Sequence, residues 1–272
     1  MDFVPIVISV LDEAKYRIDQ LNRLERLIRK LKDNPRDTQV CREIAKTLKL
    51  MFGYLDVKFR VLYNEHTPNA FVLYVPNPFR SKIEDKRPHI AMSVQFYVTK
   101  GLLDLLTTRE VVAVLLHEVG HTFYSGKPLF QQLLSTIRRL LYLGTMITAA
   151  VTHLPIFALL LSTLTLSLQL EVGVGLLSRL SEKDADKFVV ELGYGPELAT
   201  ALQKLSVYAK FQEGKKTGFF SKVWDKIKQI FDTHPNNAER ICHVLKTVID
   251  EYPEQLKGEL KTLYEKYCKN AS

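Results

Sequence analysis

Cysteine is scarce: the 272 residues hold three, Cys41, Cys242 and Cys268. They are odd in number and scattered, and no C-x-x-C pair occurs, which excludes a disulfide-dense scaffold and a cysteine-held second metal site. A reducing compartment is the expectation. Also lacking is a basic leader with an apolar stretch behind it. The chain starts MDFVPIVISVLDEAK, with an acid at position 2 and an apolar patch too short to span a bilayer, so no export signal is expected. No internal repeat is evident. There is no nucleic-acid motif either. The net charge is +8, yet basic residues alternate with acids in LNRLERLIRKLK and KVWDKIKQIF, as on solvated helix faces, and no nucleic-acid partner is expected.

Apolar residues are plentiful, 46% of the chain, enough for a substantial core. Residues 10–33 and 37–53 read as amphipathic helices broken by DNPRD, an N-terminal helical region within residues 1–64. DVKFRVLYN (56–64), NAFVLYV (69–75) and HIAMSVQFYV (89–98) carry strand patterns and predict a small sheet with an edge open to an extended peptide. Residues 140–170, LLYLGTMITAAVTHLPIFALLLSTLTLSLQL, contain no Asp, Glu, Lys or Arg. That run is too long for one core helix, and His153-Leu154-Pro155 offers a turn in its middle, so residues 135–178 predict a hydrophobic hairpin set against or into a membrane. The alternative is a buried hairpin or β-excursion of a soluble protein, favoured by the two-residue alternation from Thr163 to Leu176 and by Glu171. Further helices are expected over 179–193, opened by Ser181 and closed by Gly193, from Gly195, and over 236–250 and 254–268.

The chemistry lies in VVAVLLHEVGHTFYSG, residues 111–126. Thr107 and Glu110 form a capping-box pair, so a helix starts here, and apolar residues surround His117, Glu118 and His121. Residues four apart share a helix face, so both imidazoles can converge on one ion, expected to be zinc. Glu118 lies about 100° further round, placed to act as a general base without ligating. A catalytic zinc takes three protein ligands and keeps a fourth position for water, so one more ligand must come from another element. Glu182, in RLSEKDADKFVVELG (179–193), is the candidate. Asp186, one turn later, would accept a hydrogen bond from a ligating histidine and fix its tautomer.

H-E-V-G-H at 117–121, a hydrophobic hairpin, and E-K-D-A-D at 182–186 together resemble the gluzincin family of the heat-shock protease HtpX and the CAAX prenyl endopeptidases. NAF at 69–71, VTKGLLDLL before the helix, and THP followed by Arg240-Ile241 fall in that family's order, so the resemblance covers roughly residues 65–245. It implies one zinc per chain held by His117, His121 and Glu182, with Glu118 as base and Asp186 behind the ligands. It also implies that His234 stabilises the oxyanion, that Arg240 braces the carboxylates, and that Asn69 and Ala70 belong to the substrate-binding edge. The chain departs from HtpX-like proteins in lacking a pair of spanning helices before the catalytic helix.

The expected fold is α+β and mainly helical: a zincin-like metallopeptidase domain over 65–272, with a small sheet, the helical appendage, and the hairpin inserted between the ligand-bearing helices. Topology adds a constraint, since a single bilayer crossing between His121 and Glu182 would part the ligands; the crossings number zero or two. With two, Lys127, Arg138, Arg139, Arg179 and Lys183 place the catalytic part on the cytoplasmic side. The expected activity is peptide-bond hydrolysis on a protein or peptide substrate, membrane-associated or, alternatively, soluble in the cytoplasm. The rivals are an inactive zinc-stabilised scaffold and a membrane-surface adaptor.

Overall fold

A computed structural model of the chain describes residues 4–54, 56–76, 92–124, 136–137, 139–145, 147–148, 180–213 and 237–269. The chain divides into two compact units, Met1–Val119 and Gly120–Ser272.

In the first unit, α1 (Val4–Asp33) and α2 (Thr38–Phe52) pack as an antiparallel-type pair of amphipathic helices joined by a short turn. Leu21, Leu24, Ile28 and Leu31 recur at helical spacing and are buried against Val40, Ile44 and Leu48, the stripe that a 3.6-residue period puts on one face. Asp37 caps α2 by accepting from the Gln39 and Val40 amides, and Gly53 ends it in the left-handed conformation, φ 68°. Both are the residue types that helix ends favour.

Three strands follow: β1 (Asp56–Leu62), β2 (Ala70–Pro76) and β3 (Met92–Thr99). They form one mixed sheet in the order β1-β3-β2, with β3 parallel to β1 and antiparallel to β2. Val57, Phe59 and Val61 lie opposite Val94, Phe96 and Val98, and all six are buried, as expected when alternate side chains share one covered face. Thr99 closes β3 and caps α3 (Lys100–Leu105) through the Leu102 amide. Lys32 of α1 donates to the Leu103 and Leu106 carbonyls at the other end of α3, a cation meeting the carbonyls of a helix C-terminus. Gly101 admits the backbone at His66, because a Cβ there would overlap the His66 carbonyl.

The capping box opens α4 (Thr108–Tyr124): the Thr107 amide donates to Glu110 at 2.7 Å, and the Glu110 amide to the Thr107 hydroxyl at 3.4 Å. Val111, Val112, Ala113, Leu115, Leu116 and Val119 are almost wholly buried.

In the second unit, α5 (residues 180–191) ends at Gly193, whose φ of 80° turns the chain into α6 (Gly195–Glu213). α6 packs on α7 (Asn237–Glu251), with Leu198, Ala199 and Leu202 meeting a core that includes Ile241, Val244, Leu245 and Val248. The expected last helix is a short 3-10 turn, Pro253–Gln255, then α8 (Glu259–Tyr264) continuing into a π-helical turn.

The cysteine expectation needs correction. Cys242 on α7 and Cys268 beyond α8 are disulfide-bonded, with Cα atoms 5.2 Å apart. Their 26-residue separation hid a pairing that exists because α8 folds back along α7. Cys41 remains a free, buried thiol, its pKa raised by burial and then by the nearby Asp37.

Most of the expected hairpin at 135–178, the segment KVWDKIKQIF and His234 lie outside the described residues. Among the described residues, no helix is long and apolar enough to cross a membrane.

Candidate metal centre

The site is assembled on one crossing, that of the end of α4 with the start of α5. Gly120 makes the crossing close: a Cβ built there would stand 2.9 Å from the Ala185 Cα and 3.1 Å from its Cβ. Phe123 and Phe188 close the contact one turn further on, ring centroids 5.9 Å apart. The acid-rich face of α5 is thereby brought against His121.

His117 and His121 share the face that their four-residue spacing predicts, and Glu182 joins them. Each offers one ligand atom, and these atoms all lie within 4.8 Å of one another. His117 is 5% exposed and Glu182 fully buried. The His121 Nε2 stands 3.3 Å from the Glu182 Oε1. Two donors bound at about 2.0–2.1 Å to a tetrahedral ion would stand about 3.3 Å apart, so this pair already has the spacing that zinc demands.

Arg240, from the first turn of α7, supports the carboxylates. Its Nε and Nη2 donate to the two Asp186 oxygens at 3.1 and 2.7 Å, a fork-on-fork pair, while Nη1 stands 3.2 Å from the Glu182 Oε2. Glu182 and Asp186 are both fully buried, and Arg240 is the buried cation among the described residues. Two carboxylates against one guanidinium leave an excess negative charge. Buried charge is tolerated when paired or metal-bound, so the cluster fits a divalent cation facing the imidazoles. The donor set, two nitrogens and one oxygen, is a catalytic zinc set.

Ser181 is the residue that sequence reasoning assigned to a different task, opening the helix. Its hydroxyl stands 3.3 Å from the His121 Nδ1, holding the ring so that Nε2 faces Glu182, the orienting contact that ligating histidines usually carry. Asp186, expected to brace a histidine, grips Arg240. Glu118 follows His117 on α4 and is partly exposed, among neighbours that are buried. Asn69 and Ala70 lie at the start of β2, where the Thr99 amide donates to the Asn69 carbonyl at 3.0 Å and the Asn69 amide to the Thr99 hydroxyl at 2.8 Å.

Two histidines from one helix, a glutamate from a second, and a partly exposed glutamate beside the first histidine form a zincin-type metallopeptidase arrangement. The pattern of Peptidase family M48 matches residues 32–248, well over half of the chain, and the chain belongs to that family of zinc metallopeptidases. Among solved structures it is similar to the crystal structure of S. mikatae Ste24p, at 18% identity and a TM-score of 0.47, over 89% of this chain and 65% of that one. The chain thus spans just under two thirds of that protein's length. No curated protein matches it in sequence.

Proposed function

We propose that the chain is a zinc-dependent metalloendopeptidase, HtpX-like, holding one zinc ion through His117, His121 and Glu182. The convergence of those three side chains beside a partly exposed Glu118 carries this reading. Zinc held there supplies a Lewis acid for the scissile carbonyl and acidifies a water. Glu118 takes a proton from the attacking water and passes it to the leaving amine nitrogen. His234, which precedes α7 and Arg240, donates to the developing oxyanion. Arg240 and Asp186 fix the Glu182 carboxylate, and Ser181 fixes the His121 ring.

The substrate lies along the outer edge of β2. Asn69 already spends its backbone groups on Thr99, and antiparallel pairing alternates, so Ala70 and Val72 turn theirs away from β3 towards an extended peptide.

The reading extends to a membrane-apposed hairpin over 135–178 inserted between the ligand helices. Large apolar side chains in its described part are exposed: Leu140 at 61%, Leu143 at 58% and Ile147 at 56%. Contiguous exposure of that kind marks an interaction surface. The cytoplasmic side rests on the basic flanks alone, since the disulfide removes the argument from free thiols.

The test is metal analysis beside a chelator-sensitive protein-degradation assay. Glu118→Gln keeps one zinc per chain and loses at least a hundredfold in turnover, whereas Glu182→Ala loses the metal. Undiminished cleavage by the Gln variant would remove Glu118 from its role. Bound zinc without cleavage in the unmutated chain would leave the inactive scaffold standing.

A further inference from the structure

A groove of about 500 Å³ lies within the first unit, and none of His117, His121 and Glu182 lines it. One wall is five consecutive residues of β1: Val57, Lys58, Phe59, Arg60 and Val61. Successive side chains of a strand point to opposite faces, so a cavity lined by both parities faces the strand's edge. β1 is an outer strand, bonded to β3 on one side only among the described residues. Its other edge presents backbone N–H and C=O groups to the groove. The opposite wall is a single stripe of α2, Thr38, Cys41, Arg42 and Ala45, at spacings of three, four and seven.

The groove is apolar at its base and basic at its rim. Val57, Phe59 and Val61 keep 9%, 5% and 6% of their surface, and Lys58, Arg60 and Arg42 are exposed. No carboxylate of the described residues pairs with any of these three cations. At the mouth, Arg36 adds a fourth cation, held 5.9 Å over the Tyr63 ring. A strand edge of five residues, about 13–16 Å long by the strand rise, flanked by cations that no described carboxylate pairs, has the complement of an extended acidic peptide.

We infer that the β1 edge binds an extended acidic segment of a partner protein by strand addition, with alternate acidic side chains meeting Arg42, Lys58 and Arg60. The site is separate from the β2 edge, since β3 lies between the two. It therefore serves to tether that partner on the sheet edge opposite β2.

The experiment uses the full chain carrying Glu118→Gln, so that a peptide probe survives. A capped, fluorescent ten-residue peptide of alternating Glu and Val is titrated by anisotropy. Alongside it run a Lys-for-Glu counterpart and two versions N-methylated on alternate residues of either parity. The Glu peptide binds, the Lys peptide at least tenfold more weakly, and one N-methylated version loses binding. Lys58→Glu with Arg60→Glu weakens the Glu peptide at least tenfold while leaving the melting temperature unchanged. Bound peptide slows hydrogen exchange at residues 57–61, and chelator leaves its binding untouched. Binding indifferent to both N-methylation patterns, or displaced by an oligonucleotide of equal charge as readily as by the peptide, reduces the groove to a general anion surface and overturns the inference. Binding lost on chelation assigns the peptide to the metal centre and overturns it equally.

Discussion

Arg240 shows what a single side chain contributes to this centre. It is the buried cation facing two buried carboxylates, and its planar fork satisfies both oxygens of Asp186 while a third nitrogen faces Glu182. Removing it outright would leave buried charge uncompensated, at a cost of about 3–5 kcal/mol, which confuses unfolding with loss of function. Lysine keeps the charge but not the fork. Arg240→Lys is accordingly expected to stay folded and to bind zinc 10–100-fold more weakly, the usual effect of losing an outer partner of a ligand, in competition with a chromophoric chelator. Wild-type affinity in that variant would show that Arg240 braces nothing. At this scale the sequence was readable where chemistry is local. His117 and His121 follow from helical spacing, and Glu182 from the third ligand that a catalytic zinc requires, since its acidic run alone reads as a solvated helix face. Arg240 came from the family resemblance, because its partner Asp186 is 54 residues away and no local pattern links them. Ser181 was misjudged for the same reason: a serine before an acidic run looks like a helix cap, and its contact with His121 exists only once α4 and α5 cross.

That crossing depends on the missing side chain at Gly120. In a helix interior Gly→Ala usually stabilises by about 0.5–1 kcal/mol, but here the added methyl meets the Ala185 backbone, so the ordinary sign is expected to reverse. Gly120→Ala forces α5 to move a few tenths of an ångström, and Glu182, carried on α5, moves with it. Zinc affinity falls at least tenfold while far-UV circular dichroism stays constant, and Ala185→Gly in the same chain restores part of the loss. A Gly120→Ala protein with higher melting temperature and unchanged zinc affinity would mean the close approach is incidental. Helices and strands were legible from their periodicities, since burial imposes 3.6 on one and 2 on the other. Their neighbours were not. Alternation in β1 announces a half-buried strand but not that β3, arriving later in the chain, inserts between β1 and β2. The Cys242–Cys268 bond was hidden likewise, because a return of α8 along α7 leaves no mark in cysteine spacing.

His121 and Glu182 of the candidate metal centre come from parts of the chain that are far apart in sequence, and this sets a test of what the apolar segment contributes. Ser181, beside the third ligand, is 60 residues from His121, and most of that span is residues 135–178. If the segment served to position Glu182, shortening it would cost zinc. If it is a hairpin returning to its starting point, the ligand geometry is set by the crossing of α4 and α5, and the segment is dispensable to the metal. Replacing residues 135–178 by a short Gly/Ser linker cuts the loop to about a third, which by loop-closure entropy favours the closed arrangement by roughly 1 kcal/mol. The shortened protein is therefore expected to hold one zinc as tightly as the full chain or slightly more so, and to keep chelator-sensitive cleavage of a soluble peptide. It is also expected to stop floating with anionic lipid vesicles, because Leu140, Leu143 and Ile147, exposed in the full chain, have gone. Loss of zinc from a shortened protein that still melts cooperatively would assign the segment to the catalytic architecture. Flotation equal to that of the full chain would move the membrane contact elsewhere, to the basic surface whose attraction salt would then abolish.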